Sequence, residues 1–373
     1  MIKKIVKNLS NLPGWRTNRK IVVIESDDWG TVRMSSSKAY QALLKSGIRV
    51  DKDPYNRFDA LESSEDLSAL FDTLKGFRDK NGNHPVITAN TIVANPDFEK
   101  IADSNFETYH YELFTQTLLD YYGSNNTINT WKEGMDAGIF RPQFHGREHV
   151  NVAMWMNALR SNHKELLLAF QHKVFGIPMN SPGAKRGNYM AAFDVENHMD
   201  LQNVENIISD GLNIFNEIFG YSSKTIIAPC YVLPTKLAPM LIKKGVMGYQ
   251  GISYQFNPVF DKSDYQRKLH YTGQKNSYGQ QYLVRNAFFE PTQIFKQDMV
   301  AEIIPRMKTA FFWKKPLIIG AHRVNFIGSL DEANRKNNLE KLELVLASIL
   351  KECPDVEFMS SDSLIDLMQV NKN

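Results

Sequence analysis

At 373 residues, with 43% hydrophobic and 23% charged side chains and 36 glycines and prolines, the chain has the composition of an ordinary globular protein with ample length for a buried core, which excludes collagen-like and low-complexity classes. A net charge of +3 is too balanced to argue for nucleic acid as a partner, and two cysteines exclude a disulfide framework and a four-cysteine zinc site. No stretch approaches the run of apolar residues that a membrane span needs. The opening MIKKIVKNLSNLPGW is basic, but Lys7, Asn8 and Asn11 break up any signal-peptide core. A cytoplasmic protein is therefore expected, with a short amphipathic segment touching an anionic membrane surface as the weaker reading.

Residues 20–26 form a continuous β-branched apolar run, the pattern of a buried parallel strand. Helical periodicity follows at 64–80, a strand at 86–93, a helix at 127–137 and a short strand at 139–144. Residues 149–173 read as one long helix and 198–219 as another, with a loop rich in Gly, Pro and Asn between them. Strands are predicted at 225–229, 246–251, 282–289 and 316–321, and helices at 236–244, 292–312 and 334–352. A strand at 356–359 and a helix at 362–369 close the chain. About eight short strands separated by helices predict an α/β fold with a parallel sheet, closed as a distorted (β/α) barrel of seven or eight strands. Residues 1–19 read as an N-terminal extension and 20–373 as a single domain, with loop or helical insertions near 95–125, 174–195 and 253–280.

In such a barrel, chemistry belongs at the strand ends. Dinucleotide, Walker A, nucleophile-elbow and H-E-x-x-H motifs are absent, and Cys230 has no thiolate-activating neighbour in sequence. Four polar groups do follow strands. Asp27 and Asp28 end the first; adjacent carboxylates there repel unless a cation or proton lies between them. His145 and His149, spaced i and i+4, can reach one ion from a single helical turn, leaving Glu148 on another face, either solvated or supporting the ligands from behind. His322 follows the strand at 316–321. The stiff turn Ala228-Pro229-Cys230-Tyr231 could present the Tyr231 backbone N–H to a developing oxyanion. One Asp and two His on a divalent ion favour water ionisation, a further carboxylate takes the proton, and an imidazolium protonates the leaving group. Asp28, His145 and His149 can fill the ligand set; Asp27 and His322 can fill the base and acid.

This order of motifs resembles the polysaccharide deacetylase superfamily (carbohydrate esterase family 4, the NodB homology domain), across residues 20–325. The resemblance implies a distorted barrel, a divalent metal that is commonly zinc, and an N- or O-acetylated sugar or polysaccharide as substrate. It implies Asp28, His145 and His149 as ligands, Asp27 as general base, His322 as general acid, and Tyr231 N–H on the oxyanion. The chain departs from the pattern in three places. Trp29 stands between the aspartates and Gly30, where it would wall the pocket, stack on a sugar or pack in the core. The arginine that holds the family's base is Ala228, so Arg141 or Arg285 must partner Asp27. The motif that charges the late histidine is missing, which leaves His322 expected near its ordinary pKa of about 6.5 and a poor acid. Two further readings are a carbohydrate-binding barrel without catalysis and an inverted zinc protease using His145, Glu148 and His149. Oligomeric state is unreadable.

Overall fold

The computed structural model describes residues 13–178, 188–260, 262, 264–294 and 297–370. Most of the basic N-terminal segment, and with it the amphipathic reading, lies outside the described residues. Thirteen strands are present among them: β1 (Lys20–Trp29), β2 (Ile87–Ile92), β3 (Ala94–Pro96), β4 (Tyr111–Leu113), β5 (Phe140–Gly146), β6 (Thr225–Ile226), β7 (Gly248–Gly251), β8 (Tyr254–Pro258), β9 (Tyr265–Leu269), β10 (Gln281–Val284), β11 (Ala287–Phe289), β12 (Leu317–His322) and β13 (Val356–Phe358). Nine of them form one all-parallel sheet in the order β10-β7-β6-β5-β2-β1-β12-β11, with β13 also on β1.

The two edge strands of that order, β10 and β11, are consecutive in the chain. Only Arg285 and Asn286 lie between them: Arg285 N–H donates to Gly251 C=O at 2.8 Å on one edge, and Asn286 N–H to Ile318 C=O at 3.0 Å on the other. Two residues span only about 7 Å, so the edges must meet, and the sheet curls into a distorted (β/α) barrel. The single strand expected at 282–289 is thus two half-strands, each pairing with a different neighbour. Ile21, Val23 and Ile318 bury one face of the sheet beneath Leu364, Ile365 and Met368 of the terminal helix Ser361–Val370. Val22, Ile24, Leu317 and Ile319 bury the other among Leu70, Phe71, Leu342 and Leu346.

Other differences have local causes. The helix expected over 149–173 is two helices, Val152–Arg160 and Lys164–Gln171, broken where Asn162 takes φ 56°. Residues 95–125, expected as a loop or helical insertion, hold β3, β4 and the helices Phe98–Asp103 and Phe114–Tyr122. Residues 253–280 contain the antiparallel hairpin β8–β9. Helices Ser37–Lys45 and Pro54–Phe58 were not expected. Among the described residues no helix is long and apolar enough to cross a membrane.

Candidate metal centre

Neighbouring residues of a regular strand point to opposite faces, so adjacent aspartates at the end of β1 should not share a site. A bulge changes this. Ser26 pairs with Ala89 and Trp29 with Thr91, leaving Asp27 and Asp28 opposite Asn90 alone. Asp28 takes φ 77° at this bulge. A second bulge lies one strand over, where Phe144 pairs with Thr91 and Gly146 with Ile92, so that His145 is the extra residue of β5. Bulges re-aim side chains in this way beside functional sites.

The result is a buried cluster in which Asp28, His145 and His149 each offer a ligand atom, all within 4.8 Å of one another. Asp28 Oδ1 lies 3.4 Å from His145 Nε2 and 3.1 Å from His149 Nε2. The histidines do not share a helical turn: Gly146 has φ 154°, and the next helix starts only at Val152 behind the cap Asn151. His145 Nδ1 lies 2.9 Å from Ile227 C=O, and a carbonyl can only accept, so Nδ1–H donates to it and Nε2 is the nitrogen turned toward Asp28. That Nε2 is buried without a hydrogen-bond partner, as is His149 Nδ1. Burial, with Arg33 close by, lowers His149 to about 4, so its imidazole is neutral. Burial would raise Asp28, but Arg33 and the two histidines outweigh it and hold the carboxyl well below its usual range. An ionised carboxylate and two imidazoles are the donor set a divalent ion such as zinc takes.

Asp27 faces a different set. Arg285 Nη1 and Nη2 grip its two oxygens at 2.7 and 2.6 Å, and Asn90 Nδ2 donates to Oδ1 at 2.7 Å. Burial opposes the charge, but Arg285 prevails and lowers Asp27. Arg285 is therefore the partner that Asp27 requires; it is itself buried, and it holds a carboxylate rather than a substrate. Arg141 does not take part. It is the second residue of β5, at the opposite strand end, bound to Asp362 at 2.8 Å and stacked over Tyr221.

His322 ends β12 with Nε2 3.7 Å from Asp27 Oδ2 and Nδ1 2.6 Å from Glu290 Oε1. Burial disfavours the imidazolium, but Glu290 overcomes this and raises His322 to about 9. The expectation of an ordinary, uncharged histidine is thus corrected, because Glu290 supplies the missing carboxylate from just beyond β11. Its signal was available: it too is a polar group at a strand end. Arg33, which donates to Asp28 Oδ2 at 2.8 Å, and Tyr55, whose ring sits 5.3 Å from His322, were also missed. They come from the stretch between β1 and β2, which carries no motif.

Three further expectations change. Trp29 is fully buried against Trp131, Phe140 and Phe326, with Nε1–H donating to Ser26 Oγ at 3.0 Å, so it is a core residue and cannot meet substrate. The Tyr231 N–H already donates to Ala228 C=O at 2.9 Å, because Cys230 and Tyr231 at φ 55° and 59° curl the amide back on the turn. Glu148 is not solvated: it is 1% exposed and paired with Arg147 at 2.6 Å.

Tyr231, whose hydroxyl lies 3.5 Å from Arg285 Nη1, lines a narrow cavity of about 30 Å³ with Tyr249, Tyr254, His270 and Tyr282; no Asp, Glu, Lys or Arg lines it.

No family model matches the chain, and no curated protein matches it. Solved structures give distant likenesses. A 4-alpha-glucanotransferase from Thermococcus litoralis aligns at TM-score 0.45 and 9% identity over 94% of this chain. The chain spans only 40% of that protein's length. A presumed polysaccharide deacetylase from Mycobacterium smegmatis aligns at 0.43 and 8%, covering 96% of this chain and 94% of that one. A GH57-type branching enzyme from Pyrococcus horikoshii aligns at 0.40 and 9%, covering 94% and 70%.

Proposed function

We propose that this chain is a metal-dependent hydrolase that removes acetyl groups from an N- or O-acetylated sugar or polysaccharide. The observation that carries the reading is one buried mouth in which the Asp28–His145–His149 donor set adjoins a clamped carboxylate, Asp27, and a charged imidazole, His322. Asp28, His145 and His149 would hold the ion, which when bound supplies Lewis acidity and brings a water's pKa toward about 7. Asp27, ionised and fixed by Arg285 and Asn90, accepts the proton of the attacking water. His322, protonated at neutral pH and oriented by Glu290, gives its proton to the departing nitrogen or oxygen.

The inverted-protease reading has little to stand on, because Glu148 is committed to Arg147 and its histidines are not on a helix. A barrel that only binds carbohydrate would not need the Glu290–His322 pair. The test is acetate release from a panel of acetylated sugars. Activity should fall with a chelator, return with zinc, and drop by about 10²–10⁴ in Asp27→Asn. Undiminished turnover by an Asp27→Asn, His322→Ala double variant would sink the mechanism.

A further inference from the structure

Glu25 is a fully buried acid that no motif in the sequence marks. It lies two residues before Asp27 on β1, and strand periodicity puts it on the same inward face. Arg285 joins the two: its Nη atoms hold Asp27 while its Nε donates to Glu25 Oε2 at 2.7 Å. A guanidinium is a planar fork. Gripped by Asp27 alone it could still tilt about the Nη pair; the third bond, on its Nε edge, removes that freedom. The other Glu25 oxygen accepts from Ser361 Oγ at 2.8 Å, and Ser361 N–H donates to Thr88 Oγ1 at 3.0 Å. Ser361 opens the terminal helix, whose Leu364, Ile365 and Met368 pack on Ile21 and Val23 of β1.

We propose that Glu25 is a positioning residue for Asp27, acting through Arg285, and that Ser361 anchors the terminal helix into the same chain of contacts. A buried acid is costly unless paired, and among the described residues the only charged group paired with Glu25 is the arginine that orients the candidate base. The proposal rests on the reading of Asp27 as the base.

The experiment uses the full chain and the variants Glu25→Gln, Ser361→Ala and their combination, with zinc content, melting temperature, kcat and KM measured on each. Glu25→Gln should keep its zinc and KM while kcat falls about tenfold or more, the scale seen when a supporting partner is lost. Ser361→Ala should lower kcat less, and the double variant should match Glu25→Gln alone, because the serine acts through the glutamate. A wild-type kcat in Glu25→Gln, or additive losses in the double variant, would overturn the proposal. If Glu25→Gln fails to fold, Ser361→Ala decides alone: an unchanged kcat rejects the anchor. Should the wild-type chain release no acetate, the deacetylase reading falls on its own. A crystal structure of Glu25→Gln then answers the positioning question, since Arg285 still forked on Asp27 would overturn it.

Discussion

The charge on His322 separates a catalytic pair from a mere contact. With Glu290 at 2.6 Å its imidazole titrates near 9. The acid form is therefore present at neutral pH, and kcat/KM should fall as the pH rises through about 9. Glu290→Gln removes the attraction, so that alkaline limb should move down toward the ordinary histidine value of about 6.5. The folded-state pKa is raised, so the pair's contribution to stability is complete below about pH 6.5 and is lost as the pH rises through about 9. A pH–rate profile and pH-dependent melting of both proteins check this; an unmoved alkaline limb in Glu290→Gln would assign the limb to another group. The ligand residues make a second prediction at this scale. Asp28→Ala and His149→Ala should each lose metal from purified protein while Glu290→Gln keeps it, as read by metal analysis.

At the scale of elements, the site depends on two bulges. Gly30 completes the first, with φ 82°, and a Cβ there would lie 2.4 Å from Ile92 C=O. Gly30→Ala should therefore destabilise the fold by at least about 1–3 kcal/mol from the strained backbone alone, and more from the clash. Denaturant unfolding measures it; a loss under 0.5 kcal/mol, on the scale of ordinary surface substitutions, would show that the turn relaxes freely. These bulges also mark the limit of what the sequence conveyed. Runs such as Ile21–Ile24 and Leu317–Ile319 are legible because burial on both faces demands continuous apolar residues. Asp27 and Asp28 were legible as chemistry, but not the bulge that turns both to one mouth, because register is fixed by pairing with a distant strand. Arg285 was visible as a charge interrupting the apolar run at 282–289, and the structure explains the interruption as the point where the chain changes partners. Arg33 and Tyr55 had no such signal, since their placement depends on the packing of connecting segments.

For the molecule as a whole, the candidate ligands tie β1 to β5 and the segment after it, with β2 between them. The connected buried groups of the mouth are Glu25, Asp27, Asp28, Asp59, Glu62 and Glu290 against Arg33, Arg285, Arg323 and His322. In their ionised forms these leave two negative charges, which a divalent cation would neutralise. Burial, with a smaller push from Asp28, raises Asp59 to about 6 against the pull of Arg323 and Arg33. An ion that binds the folded chain and not the unfolded one stabilises it by mass action, about 2.7 kcal/mol at a hundred times its Kd. In a chain of this size that is a rise in Tm of roughly 3–4 °C. Zinc titrated into chelator-treated protein should give that rise, and His145→Ala should abolish it. Asp27→Asn should retain it, because Asp27 is held by Arg285 and lies outside the donor set. Equal zinc-dependent shifts in wild type and His145→Ala would place any ion elsewhere and remove the basis for assigning hydrolysis to this mouth.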